Sequence, residues 1–178
     1  MLELTIDSME FYDELKNEFI STEPVTLRLE HSLVSISKWE SKWKVPFLST
    51  KRMTSQQALD YVKCMTITQH VDPEVYNALT RKHIEQVEKY ISEEQTATTF
   101  SRKDPPSRQV VTSELIYFWM STYNIPMECQ KWHLSRLLTL IRIASIKNQP
   151  EKKMSKTAIL SQNRSLNAAR RKAMHTKG

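Results

Sequence analysis

The stretch from residue 112 to residue 148 limits the possible folds more than any other part of the chain, because it holds the longest apolar run. Its apolar residues recur at steps of three to five, which is the period of one helix face. The apolar stripe is so wide that it must be buried on more than one side, which requires other elements of the fold to pack against the helix. Pro126 follows a break at 124–125 and suits the first turn of a second helix. The sequence therefore predicts two helices here, the second over 127–146, with other elements packed around them.

Two short segments near the N-terminus, 2–6 and 25–29, alternate apolar and polar residues. This alternation is the period of a half-buried strand. We expect the two segments to pair as the arms of a small antiparallel β-hairpin, and residues 11–20 between them fit either a loop or further extended chain. Since a two-stranded unit is marginal on its own, it needs helices packed over it.

Three further segments, 31–43, 54–67 and 80–91, place apolar residues at helical spacing and predict helices. Residues 92–110 are polar, contain a Pro-Pro pair and predict a surface loop. The fold class is α+β and mostly α-helical, with the small N-terminal sheet packed on a helical bundle. Suitable N-caps precede the helices: Ser32, Thr54 within a capping box with Gln57, and either Thr112 or Ser113.

The net positive charge of the chain lies in its C-terminal part. Residues 147–178 hold nine lysines and arginines and one glutamate, hence +8, and since the whole chain carries +6, residues 1–146 carry −2. We predict a globular domain over 1–146 and a basic C-terminal extension over 147–178. The extension is either disordered or a helix that runs to about residue 175 and is ordered when docked.

The scarcity of glycine argues against the common enzyme sites. The only glycine is Gly178, whereas phosphate-binding loops and nucleophile elbows both need glycine at a tight turn. The histidines and carboxylates are dispersed, and His133 is expected to be structural because no acid or nucleophile is placed beside it by spacing. Neither cysteine has a second ligand at short spacing, and no apolar run is long enough to span a membrane. We predict no enzymatic activity, no cofactor, no metal and no membrane contact.

Two stretches of the chain resemble a family of small proteins of tailed bacteriophages and prophages. The first is LEHSLVSISKWESKW at 29–43, and the second, at 113–172, contains SELIYFWM, then NIPMECQKWHLSRLLTLIRIASIKN, and ends with RSLNAARRK. The family is placed among the tail assembly chaperones, encoded ahead of the tape-measure protein. The resemblance implies a non-enzymatic protein of the host bacterial cytoplasm that binds the tape measure and recruits tail-tube subunits. It carries over no catalytic residues.

Two other functions fit the same sequence. A structural virion component, such as a connector or tail-completion protein, would be present in the finished particle. A packaging factor would bind nucleic acid through the basic extension, whose spaced cations are typical of contacts with polyanions or acidic partners. We predict that one face of the 127–146 helix and the extension contact the partner through Trp132, Arg136, Lys152, Lys153, Lys156, Arg164, Arg170, Arg171 and Lys172.

Overall fold

A computed structural model of the chain describes residues 1–13, 17–100, 109–148 and 156–175. The chain divides into two compact units, Met1–Ile146 and Lys147–Gly178. The described residues form a mostly α-helical α+β fold with a small antiparallel sheet, which is the fold class that the sequence predicts.

The predicted N-terminal sheet is confirmed. Strands β1 (Leu2–Ile6) and β4 (Val25–Leu29) pair antiparallel, with Leu4 opposite Leu27. Alternate residues face inward because side chains point to opposite faces of a strand, so Leu4 and Leu27 are both buried. The sheet thereby presents one apolar face to the helices.

The segment that the sequence left open between loop and extended chain is a second ribbon. Strands β2 (Met9–Asp13) and β3 (Glu18–Thr22) pair antiparallel as a separate two-stranded sheet inserted between β1 and β4. At its turn Asn17 has φ of 57°, a left-handed conformation that asparagine tolerates better than most residues. The two arms of the predicted hairpin are therefore joined through this ribbon.

The three helices predicted from apolar spacing are present as α1 (Leu33–Trp43), α2 (Ser55–Met65) and α3 (Arg81–Ser92). Ser32 and Thr54 cap α1 and α2, and each takes part in a reciprocal capping box with the third helical residue. Short 3-10 turns at Phe47–Ser49 and Pro73–Ala78 connect these helices.

The buried carboxylate of Glu40, on α1, joins two distant parts of the chain. Its Oε1 accepts the backbone N–H of Phe47 and its Oε2 accepts that of Ser113, both at 2.8 Å. Both donors are backbone groups at the start of an element, where no intrahelical acceptor is available. Glu40 thus fixes the first 3-10 turn and helix α4 (Ser113–Thr122) against α1. Of the two N-cap residues that the sequence offers, Thr112 is the one that caps α4, because its side-chain hydroxyl oxygen accepts the backbone N–H of Leu115.

The second helix of the central pair is shorter than predicted. Residues Met127–Lys131 form a 3-10 turn, and α5 begins only at Leu134 and ends at Asn148. The predicted helix over 127–146 is therefore wrong in its first turns, and Trp132 does not lie on it. The backbone at His133 instead pairs with Ser32, and Leu134 N donates to the carbonyl oxygen of His31 at 2.7 Å. This long-range pairing, which local periodicity cannot reveal, replaces helical hydrogen bonds.

The C-terminal unit contains one described helix, α6 (Lys156–Met174). Every side chain of α6 that the structure describes is exposed, including four large apolar ones: Ile159, Leu160, Leu166 and Met174.

Candidate binding surfaces

An apolar groove lies between α2 and α3 on the N-terminal unit. It consists of two adjoining cavities of about 450 and 530 Å³ that share Met53, Ala58, Ile84 and Glu88 as lining residues. We call this the α2–α3 groove. The remaining lining side chains are mostly apolar: Phe47, Leu48, Leu59, Tyr61, Val62, Tyr76, Leu79, Val87 and Ile91.

The side chains that the two cavities share set the character of the groove. Ala58 on α2 and Ile84 on α3 line both cavities, and both are only half-buried. Met53 lies at the junction of the two cavities, and its flexible thioether adapts to differently shaped partners. Lys51 and Glu88 are exposed beside this apolar lining and offer one charge of each sign. The groove therefore has the composition of a protein-binding site, mostly apolar with a few polar groups.

The outer face of α4 is the second apolar surface. Phe118 is 63% exposed, and Leu115 and Trp119, within one helical turn of it, are half-buried. Glu114 lies one turn before Phe118, and its pKa is lowered because its own backbone N–H and the Thr112 hydroxyl bond to the carboxylate. The face thus combines an aromatic centre with a stable negative charge at one end.

The outward position of Phe118 follows from the helical spacing of its neighbours. Ile116 and Met120 are four residues apart and both fully buried, so they define the inner face. Phe118 lies two residues from each and must therefore face outward. Of the four tryptophans, only Trp39 is fully buried, whereas Trp43, Trp119 and Trp132 are half-buried and pack against the core.

Trp132 and Arg136, predicted to contact a partner, lie together. The guanidinium carbon of Arg136 is 4.1 Å from the centroid of the Trp132 ring, at the distance of a cation–π contact. Arg136 is exposed and Trp132 is half-buried. The pair comes from the segment before α5 and its first turn, so it forms a small surface patch and not the predicted helix face.

The predicted cations of the extension divide into those on α6 and those outside the described residues. Arg164 and Arg171 are seven residues apart and therefore lie on one face of α6. Arg170 and Lys172 are the sequence neighbours of Arg171. All four side chains are exposed. Lys156 is the first residue of α6, and Lys152 and Lys153 lie outside the described residues.

Within the described parts of the chain, no cluster of three or more histidine, cysteine or carboxylate side chains could hold a metal ion. A search of the same residues finds no helix with the length and hydropathy needed to cross a membrane. Comparison with known proteins finds no matching family model, no matching curated protein and no matching solved structure.

Proposed function

We propose that this chain is a non-enzymatic assembly protein that binds an apolar helical segment of another protein in the α2–α3 groove. Together with the phage resemblance, this makes it a tail assembly chaperone of the bacterial cytoplasm, with the tape-measure and tail-tube proteins as partners. The observation that carries the proposal is the open apolar groove beside half-buried Ala58 and Ile84.

The groove suits a helix more than it suits a small ligand. Its two cavities adjoin along α2 and α3, so the apolar lining is elongated and open to solvent. An amphipathic helix contacts such a lining through residues at positions i, i+3, i+4 and i+7. Tape-measure proteins, as the resemblance implies, are long and helical and would supply many such segments. Lys51 and Glu88 then select the orientation of the bound helix through their opposite charges.

Two other surfaces would extend the contact. The face around Phe118 offers an aromatic side chain of the kind that dominates binding energy at interfaces. Arg136 is already stacked on Trp132, so its side chain loses less conformational entropy when it binds an acidic group. The basic helix α6 would attract an acidic partner from a distance.

Co-expression with the tape-measure protein tests the proposal. The full chain should yield a soluble complex, and Ile84→Glu, which places a charge in the groove, should weaken binding about tenfold or more. Gln86→Glu is the matched control, because Gln86 is exposed on α3, does not line the groove and receives the same new side chain. Equal affinity of both variants, with thermal unfolding showing that each is folded, would exclude the groove as the binding site.

The exposed cations of α6 also favour nucleic acid as a partner, in the role of a packaging factor. Arg164, Arg170, Arg171 and Lys172 are all available to phosphates. If several phosphates are contacted, the logarithm of the binding constant falls linearly with the logarithm of salt concentration. A steep slope for duplex DNA that disappears in R170E/R171E/K172E supports this function, and affinity that is unchanged across salt excludes it.

Mass spectrometry of purified particles distinguishes the chaperone from a structural virion component. A chaperone acts during assembly and should be missing from finished particles. A connector or tail-completion protein should be found there in fixed proportion to the other tail proteins.

A further inference from the structure

Two histidines lie face to edge inside the core, where the junction of β4 and α1 meets the start of α5. His31 is 4% exposed and His133 is 6% exposed, and their ring centroids are 5.1 Å apart. Because imidazole gains a proton near neutral pH in water, two such rings buried in contact form a group whose charge depends on mild acidity. We call them the buried histidine pair.

His133 acts as the N-cap of α5 in its neutral form. Its backbone carbonyl accepts from Arg136 N and Leu137 N, and its Nδ1 accepts the backbone N–H of Ser135 at 3.3 Å. The Nε2 atom lies 3.2 Å from the carbonyl oxygen of Tyr90, so it carries the hydrogen and donates. A second proton on Nδ1 removes the acceptor for Ser135 N–H and places a cation at the positive end of the helix.

His31 depends on the same neutral state. Its Nδ1 is 2.5 Å from the hydroxyl oxygen of Tyr61, on α2, and burial raises the pKa of Tyr61 so that this hydroxyl keeps its proton. Burial, together with the smaller effect of a charge on His133, lowers the pKa of His31 to about 4. Its carbonyl oxygen holds Leu134 N, the first residue of α5.

The charged groups around the pair decide which ring is protonated first. Burial lowers the pKa of His133, while the Tyr90 carbonyl, Glu30 and Glu93 oppose this effect and the N-terminal amine adds to it. Glu30 itself accepts the Tyr90 hydroxyl at 2.7 Å and pairs with that amine at 3.1 Å. Among the described residues, carboxylates favour a charge on His133 whereas none contributes to the pKa of His31, so the first proton goes to His133.

We propose that the buried histidine pair is a pH-sensitive device that holds the start of α5 against the β4–α1 junction at neutral pH and releases it in mild acid. An open start of α5 exposes both rings to water, where each binds a proton near pH 6.5. The closed state, in which the start of α5 is docked and both rings are buried, binds fewer protons than the open state. The free energy that favours the closed state is therefore fully present above about pH 6.5 and decreases as the pH falls toward about 4. The release moves Arg136, and with it the patch that it forms with Trp132.

Amide hydrogen exchange on the full chain tests this proposal. Between pH 7 and pH 5, protection factors at Leu134, Ser135 and Arg136, corrected for intrinsic exchange rates, should fall about tenfold or more. Those at Val62 and Met65, in the core of α2, should fall by a similar factor, because global unfolding exposes the same two rings, but they should stay higher at both pH values. Protection at Leu134, Ser135 and Arg136 that equals that of the α2 amides at pH 5 would mean that the start of α5 opens only with the whole fold, and would overturn the proposal.

A pair of asparagine variants separates titration from structure. His133→Asn provides an oxygen that caps Ser135 N–H without titrating, so the local loss of protection in acid should become smaller, and only the part due to His31 should remain. His70→Asn is the control, because His70 is exposed with φ of 55°, a conformation that asparagine accepts, and this variant should behave like the parent.

Histidine titration by NMR on the unaltered chain gives an answer even if His133→Asn does not fold. The resonances of His31 and His133 should have midpoints below 6.5, the ordinary value for imidazole in water. Midpoints near 6.5 for all five would overturn the proposal.

Discussion

At the residue scale, single buried polar groups connect parts of the chain that are far apart in sequence. Glu40 joins α1 to Phe47 and to Ser113, which is 73 residues further along. Both bonds are charge-assisted and buried, which makes them stronger than ordinary neutral hydrogen bonds. One carboxylate thus adds a buried hydrogen bond to the packing of α4 on α1.

Replacing Glu40 by glutamine should lower the free energy of unfolding by about 1–3 kcal/mol, because the amide nitrogen leaves one buried backbone N–H without an acceptor. Urea unfolding measures the change. Glu88→Gln, at an exposed position of α3, is the control and should stay within about 0.5 kcal/mol of the parent. A Glu40→Gln variant as stable as the control would show that the two bonds contribute nothing net.

The buried histidine pair also predicts a pH dependence of global stability. The pKa of His31 is about 4 in the folded state and about 6.5 in the unfolded state, so the unfolded state binds more protons between these values. Stability should therefore be lost as pH falls, by about 2 kcal/mol from pH 7.5 to pH 5 for His31 alone. Urea midpoints measured across this range check the prediction. A constant midpoint down to pH 5 would contradict it, since most carboxylates titrate lower.

At the element scale, the features that sequence predicted are those whose signals are local. The β1 and β4 strands follow from alternation, and the caps of α1 and α2 follow from Ser32 and Thr54. The start of α5 was misplaced because its hydrogen bonds go to His31 across the fold. The α2–α3 groove was not predictable either, since it depends on how far apart two helices pack and not on the pattern of either one.

Helix α4 provides a contrast between its two faces. Met120 is fully buried, so Met120→Ala should lower the free energy of unfolding by about 2–5 kcal/mol. Phe118 is 63% exposed, so Phe118→Ala should change stability by less than about 1 kcal/mol while weakening partner binding. Calorimetric melting and a binding titration measure the two effects. A large loss of stability in Phe118→Ala would indicate that this ring is structural.

At the scale of the whole molecule, charge separates along the chain, with −2 over 1–146 and +8 over 147–178. This part of the organisation was readable from composition alone. The sequence fits either a disordered or a helical extension, and the described part of the extension contains the helix α6. The candidate contact residues were predicted less completely, because Trp132 and Arg136 do lie together whereas the aromatic face of α4 was not identified.

The charged extension should act on the rate of association more than on the lifetime of the complex. Reversing charge in R170E/R171E/K172E should slow association with an acidic partner severalfold at low salt and leave dissociation nearly unchanged. Stopped-flow measurements at two salt concentrations separate the two rates. If dissociation changes instead, these side chains make direct contacts in the complex.

The exposure of α6 has a practical consequence for anyone who purifies this protein. Arg164, Arg170, Arg171 and Lys172 are all cleavage points for trypsin-like proteases, and they lie on a helix whose described side chains all face water. Proteolysis needs local unwinding, which is easiest where few tertiary contacts must be broken. Limited digestion should therefore trim this end first, and a bound partner that shields the helix should slow the trimming.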